Sequence, residues 1–226
     1  MSSEFIKDQQ EKYSKGFLEH GDSAKGVLWH DKASQYLRFD RLLKNFDLDS
    51  NPSIHDIGCG IAAMHEYMNE KGIAHQYYGT EIVPEMIEYA RKKYPGIKFF
   101  QRDILTDKTV ETSDISIISG IFNLAGNQDQ EKWKEYCFSV IKRAFELSNK
   151  GLAFNFLTSH RTFSDSTLAY FDPTEVFNFC MSHLSRYVIL DHAYPLYEFT
   201  ITVYKNGYTK SQYPGEDFSK YFRNDK

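Results

Sequence analysis

Cysteine is scarce and badly placed for any chemistry that needs it in groups. Cys59, Cys137 and Cys180 lie far apart, without a CxxC or Cys/His rhythm, which excludes a disulfide framework and a structural zinc site and fits a reducing compartment. Long apolar runs are missing too: no stretch approaches the roughly 20 residues that a membrane-spanning helix needs. The opening MSSEFIKDQQEKYSKG is polar and has no apolar segment or small-residue cleavage site of the kind a secretory leader carries. Lys and Arg number 27 against 31 Asp and Glu, a formal net charge of -4, and they are dispersed rather than gathered into a stripe. A row of phosphates would find little to neutralise it, so nucleic acid is not an expected partner. Internal repeats and low-complexity tracts are also absent. Together these absences describe a soluble, cytoplasmic protein whose partner is a small molecule, and they leave its oligomeric state open.

Aromatic residues, by contrast, are plentiful. The 226 residues include 18 Phe and 16 Tyr, enough for one packed α/β core with an aromatic-lined pocket but not for two comfortable domains. The turn cluster Ser50-Asn51-Pro52-Ser53 divides the chain into an N-terminal helical cap (1–50), a core (51–206) and a polar tail (207–226). Within the core, β-rich runs at 53–57, 76–82, 98–104, 114–122 and 152–158 alternate with helical stretches at 62–71, 84–94 and 130–147, the rhythm of βαβ units feeding a parallel sheet. Right-handed crossovers then place helices on both faces. Pro173 opens a helix to His183, and runs at 187–191 and 199–204 read as an antiparallel pair. The expectation is an α/β, doubly wound, mostly parallel seven-stranded sheet closed by a C-terminal antiparallel hairpin. Upstream, Tyr36, Phe39, Leu43 and Phe46 mark the apolar face of a helix over 32–46, with Asp31 as its N-cap.

The strongest local signal is Ile54-His55-Asp56-Ile57-Gly58-Cys59-Gly60, a strand running into a glycine turn and then a helix. Gly58 and Gly60 let the main chain turn sharply and approach a ligand, while the following helix N-terminus offers unpaired N–H groups. Any tight βα turn can use such a pair. Three further strand ends make the case by conjunction. Glu81, with Ile82 beside it, ends the second strand roughly 20 residues on, where a carboxylate accepts both ribose hydroxyls. Asp103 and Ile104 end the third, where they suit an adenine edge and face. Ser119-Gly120-Ile121-Phe122-Asn123 ends the fourth, at the crevice where such sheets bind ligands. Singly, Glu81 and Asp103 also fit as solvated strand-end charges and Phe122 as core.

On these residues the chain resembles the class I S-adenosylmethionine-dependent methyltransferases, in particular small stand-alone enzymes that accompany sugar or polysaccharide biosynthesis. The likeness spans about residues 26 to 205. It is carried by HDIGCG, Glu81, RDI at 102–104, SGIFN at 119–123, FNFLTS at 154–159 and YPLYEFTITVYK at 194–205. It is also carried by a W-x(5)-Q-x(2)-RF pattern matched by Trp29, Gln35, Arg38 and Phe39. The resemblance implies a Rossmann-like fold and S-adenosylmethionine as cofactor. It further implies a cap helix closing over that cofactor, with Arg38 pairing its methionine carboxylate. Two departures stand out: Ala62 in GCGIAA replaces a frequent third glycine, and His55 occupies a usually aliphatic strand position, where it reads as a core histidine. A nicotinamide-dependent oxidoreductase shares the glycine turn and downstream acid but wants GxGxxG. An idle cofactor-binding partner subunit is the alternative of another class; such proteins usually lose the turn or the acid, and both are kept here.

Methyl transfer requires the protein chiefly to align the nucleophile and exclude water. A hydroxyl acceptor gains from a base, and His160, after the fifth strand, is the expected one by its ordinary pKa, although it reads equally as a surface histidine. Expected acceptor contacts are Phe122, Asn123, Arg161, Tyr170, His192, Tyr194, Tyr197 and Glu198; Tyr194 and Tyr197 also fit as packing aromatics. No carboxylate cluster adjoins His160, so no metal is expected. The expected acceptor is a small molecule, and the resemblance points to a sugar or nucleotide-sugar.

Overall fold

The computed structural model describes residues 2–23, 25–27, 29, 31–126 and 128–222. Its centre is the strand β1 (Ser53–Ile57), in which Ile54, His55, Asp56 and Ile57 are all buried. Burial on both faces needs neighbours on both edges and layers above and below, and β1 has them: β2 (Gln76–Glu81) and β4 (Ser113–Ile118) pair with it in parallel. Among the described residues eight strands form one sheet, ordered β3-β2-β1-β4-β5-β8-β7, with β3 (Lys98–Gln101), β5 (Ser148–Thr158), β7 (Val188–Asp191) and β8 (Glu198–Tyr204). A two-residue strand β6 (Tyr170–Phe171), too short to leave a sequence pattern, adds to the end of β5. The last two long strands are antiparallel as expected, but β8 inserts between β5 and β7 and runs against both. Among the described residues it is the one reversed strand.

Helices cover both faces. α5 (Gln130–Glu146) starts at the N-cap Asp129 and turns Trp133, Cys137, Val140, Ile141 and Ala144 inward; with α6 (Pro173–His183) it seals a core around Phe154, Phe156 and Phe199. The other face carries α2 (Lys32–Leu43), α3 (Ala63–Glu70) and α4 (Pro84–Lys93) over Ile54, Ile115 and Ile117. α2 begins as expected, with Asp31 accepting from the Ser34 N–H at 2.7 Å, but stops three residues before Phe46. Tertiary bonds take over there: the Tyr204 hydroxyl donates to the Asn45 carbonyl and Asn45 Nδ2 to Thr202 Oγ1. Phe46 still reaches the core, from a turn. β3 stops at Gln101 rather than 104 because Asp103 Oδ1 accepts the Leu105 N–H at 2.9 Å and bends the chain into a turn. β4 stops at Ile118, where Gly120 adopts φ +76.

The first helix, α1 (Ser2–His20), lies across the carboxyl ends of the strands. Phe5, Gln9, Tyr13 and Phe17 recur every four residues, one face of a helix. Phe5 packs on Trp133, Phe17 on Tyr89, Gln9 donates to the Leu124 carbonyl and Gln10 to the Ile82 carbonyl. The segment from 207 holds the rest of α7 (Asn206–Ser211) and α8 (Glu216–Ser219), neither of which buries a residue. No helix among the described residues is long and apolar enough to cross a membrane.

His55 is a core histidine, as anticipated, but only half satisfied: buried, stacked on Tyr78 at 4.3 Å and sharing a 2.8 Å hydrogen bond with Thr80 Oγ1 through Nε2, while Nδ1 has no partner. Burial, assisted by the Arg102 charge, lowers its pKa from 6.5 to about 3. The unfolded chain therefore binds the extra proton over that interval, so His55 makes stability rise with pH between those values and fall as pH drops from 6.5 toward 3. Urea unfolding at about pH 4 and about pH 7 should show His55→Phe losing less of its stability on acidification than the parent protein; equal losses would exclude this role.

Candidate functional site

The carboxyl ends of β1, β2, β4 and β5 open into a cavity of about 470 Å³, a volume typical of small-molecule sites. Its floor is the glycine turn. Gly58 and Gly60 have φ +76 and +53, the left-handed region that glycine enters without steric cost. The Gly58 and Cys59 N–H groups both donate to the Thr80 carbonyl, at 2.7 and 3.1 Å. A Cβ on Gly58 would stand 2.2 Å from Ile121 Cγ2, so the turn and the β4 loop touch across the crevice. Ala62, at the position where a third glycine is frequent, is itself left-handed at φ 65, and no side chain caps α3 there.

Two carboxylates border this floor. Glu81 is buried and gathers three backbone donors: Gly60 on Oε2 at 2.8 Å, Ile82 and Val83 on Oε1 at 2.6 and 3.0 Å. Burial raises its pKa, and the three N–H groups pull the other way. Asp56 accepts the Tyr77 hydroxyl at 2.6 Å, and burial together with the Glu81 charge pushes it up to about 7. Asp103 and Ile104 line the next part of the wall, beside Trp133, Tyr136 and Val140 of α5. These three were not singled out from sequence, although their spacing follows the inward face of a helix that packs on β4.

The cover comes from the N-terminal region. Gln35, Arg38 and Phe39 of α2 line the cavity, as do Trp29 and Val27, with Gln9 and Tyr13 of α1. Arg38 is not free, as expected from sequence, to spend its whole guanidinium on a ligand carboxylate. Its Nε donates to both oxygens of Glu198, at 2.9 and 2.8 Å, and Nη2 donates to Oε1; only Nη1 is buried without a partner. Glu198, expected to meet the acceptor, spends its carboxylate on this pair and on Asn155 Nδ2 at 2.8 Å. Asn155 Oδ1 in turn accepts the Gly120 N–H at 2.9 Å. Trp29 completes the arrangement: its ring stacks under Arg38 at 4.0 Å and rests on Gly120, where a Cβ would fall 2.2 Å from the indole. Ser119 and Gly120 line the cavity beside it.

The acceptor side needs more correction. Of the residues expected there, Asn123 and Glu198 line the cavity. Phe122 is core, stacked on Phe156 at 4.8 Å, because its carbonyl accepts the Trp133 indole N–H and turns the ring inward. The pairing of β6 with β5 folds the intervening loop back so that Phe163 and Leu168 reach the cavity while its start faces out. His160 is therefore exposed, with His192 its ring neighbour at 6.3 Å. Arg161 stacks on Tyr170 at 3.6 Å, and exposed His192 lies outside the lining as well. Tyr194 is packed under Arg41 and bonded to Thr200 Oγ1 at 3.1 Å. Tyr197 is 43% exposed and shares a 2.8 Å bond with Thr162 Oγ1. No group of three or more His, Cys, Asp or Glu among the described residues could hold a metal.

Residues 54–144 match the family described as "Methyltransferase domain". A Mycobacterium tuberculosis protein named "Putative methyltransferase Rv1506c" is 33% identical over 156 residues, covering 68% of this chain and 93% of that one. Among solved structures, the magnesium protoporphyrin IX methyltransferase of Synechocystis with bound SAM superposes with a TM-score of 0.62 at 11% identity, over 88% of this chain and 96% of that one. The DhpI complex with SAH gives 0.61 at 17%, over 89% and 97%. The chain belongs to the class I S-adenosylmethionine-dependent methyltransferases, and the nicotinamide alternative is set aside.

Gly58→Ala should lower the free energy of unfolding by roughly 1–2 kcal/mol or more, the cost of a left-handed alanine plus the contact with Ile121. The double change with Ile121→Ala should recover the contact part, because the collision is with a side-chain methyl. Strictly additive losses in urea titrations would show that the turn and the β4 loop do not press on each other.

Proposed function

We propose that the chain transfers a methyl group from S-adenosylmethionine to a hydroxyl or amine of a small molecule, with residues 1–50 as cover, 51–206 as the catalytic core and 207–226 as a peripheral tail. The observation that carries this reading is the cavity at the strand ends. It has a glycine cradle, two buried carboxylates, and polar atoms without partners at Ser119 Oγ, Asn123 Oδ1 and Arg38 Nη1, all on residues that line it. Buried polar atoms of this kind are normally satisfied, so their presence supports a bound polar ligand. When bound, S-adenosylmethionine supplies an electrophilic methyl: a lone pair of the acceptor forms the new bond to carbon as the carbon–sulfur bond breaks, its electron pair staying on sulfur.

The chain's own groups divide the remaining work. Glu81 receives the ribose hydroxyls on the lone pairs that its three backbone donors leave open. Asp103 with Ile104 takes the adenine edge and face, and Ile82 packs beside the ribose. Gly58, Cys59 and Gly60 bring main chain against the amino-acid end, and Arg38 Nη1, aligned by Glu198 and flanked by Trp29 and Gln35, faces its carboxylate. Asp56 counters positive charge on the ligand. Tyr13 and Gln9 exclude water from above.

His160 has no part in the reaction on this reading. His160→Ala should leave S-adenosylhomocysteine release within about twofold of the parent, whereas Glu81→Ala should weaken S-adenosylmethionine binding by at least about tenfold, the scale of one charged hydrogen bond. Calorimetry checks the second statement, and an unaltered affinity would end the ribose assignment. Because Asp56 titrates near 7, affinity for the cationic cofactor should decline as pH falls through that value, and Asp56→Asn should flatten the profile. Product release across a panel of nucleotide-sugars, phenols and amines tests the activity itself; cofactor binding without turnover on any of them would favour the idle partner subunit.

A further inference from the structure

The two ends of the cavity differ in chemistry. The carboxylates of Asp56, Glu81 and Asp103 lie at one end, with the glycine turn. The other end is built by the loops after β4 and β5 and by the end of β5 itself, and its side chains are Leu124, Leu157, Phe163 and Leu168, with Asn123 among them; Ile121 sits between the two ends, against Gly58. Glu198 reaches the same region, but its charge is consumed by Arg38 and Asn155. Asn123 is 7% exposed, and its Oδ1 is buried without a partner. Its main chain is fixed on both sides: its N–H donates to the Gly120 carbonyl at 3.3 Å, and its carbonyl accepts from Ala169 at 2.8 Å. The amide is therefore presented from a held position, and its unmet need is for a hydrogen-bond donor.

Resting on the methyl-transfer reading, we propose that the acceptor has a compact apolar body and presents an N–H or O–H to Asn123 Oδ1, in place of the sugar implied by family resemblance. A sugar brings several hydroxyls, each penalised when buried without a partner, and beside Asn123 these walls are mostly hydrocarbon: Leu124, Leu157, Phe163 and Leu168. An apolar body buries against Leu124, Leu157 and Leu168, with the ring of Phe163 over it. An amide oxygen does not take a proton at neutral pH. Asn123 thus orients rather than deprotonates: it holds the acceptor's hydrogen while a lone pair on the same nitrogen or oxygen faces the methyl carbon. The new bond to carbon forms as the carbon–sulfur bond breaks, and the acceptor's proton then leaves to water.

The test is direct binding to the protein saturated with S-adenosylhomocysteine, read by calorimetry, with 2-naphthol, 2-naphthylamine, 2-methoxynaphthalene and UDP-glucose as probes. The two hydrogen donors should bind at least about fivefold tighter than 2-methoxynaphthalene, the scale of one hydrogen bond. Asn123→Ala should abolish that difference while S-adenosylhomocysteine affinity stays within about twofold, and Leu168→Asn should weaken all three naphthalenes alike. Tighter binding of UDP-glucose than of any naphthalene overturns the proposal, as does a preference for donors that survives Asn123→Ala. Should that variant not fold, the ranking in the parent protein decides, and equal affinity for all three naphthalenes overturns the proposal. Absence of heat with S-adenosylhomocysteine itself is a separate outcome, which removes the methyl-transfer reading and this inference with it.

Discussion

Arg38 and Glu198 form an ion pair in a part of the fold that hides both side chains from water. Taking an ion pair out of water is costly, and mutual attraction offsets that cost only when the remaining hydrogen-bonding capacity is also met. Asn155 supplies part of it on the Glu198 side and the face of Trp29 on the Arg38 side. The chain of contacts then runs on through Asn155 to the Gly120 N–H. A cover helix, the reversed strand, the long central strand β5 and the β4 loop are thus held by one set of polar contacts, and the cavity walls inherit their positions from it. Two of the three guanidinium nitrogens are spent in this way, and Nη1 is left without a partner.

A second constraint acts at the floor. Asp56 and Glu81 are both buried, and burial raises the pKa of each, with the Glu81 charge adding to the rise at Asp56. Backbone N–H groups and the Tyr77 hydroxyl keep these carboxylates solvated from within. Fixed dipoles replace water without needing to reorganise when a ligand enters. The site is therefore prepared for positive charge before any arrives, and the apolar far end keeps that preference local.

The sheet was legible because strands buried on both faces leave continuous apolar runs, and the glycine turn because its backbone conformation demands particular residues. The boundaries of β3 and β4 were less so: Asp103 and Gly120 end those strands through a side-chain turn and a left-handed residue, and each looks like one more strand position in an apolar count. α1 carried its signal in a four-residue recurrence of Phe5, Gln9, Tyr13 and Phe17, hidden by a polar average composition. The acceptor loops carried none. In irregular segments no period ties a residue to a direction, so His160 and Arg161 share their loop with Phe163 and yet face the other way. Glu198 shows a related limit, since a charged residue near a cavity reads as functional until its partner, 160 positions away, is located.

The strand order has a consequence for how the molecule comes into being. A ribosome emits α2 early, and the acid that matches its arginine arrives only with β8, the last long strand. Until then β5 has an unpaired edge, and Arg38 has nowhere dry to go. The nascent chain can assemble β1 to β4 and their helices while this side stays open, and the roof is latched only once β8 has been made. Closure of the cavity is thereby tied to the synthesis of β8, so a chain cut short before residue 198 would leave the arginine in water and the chamber ajar.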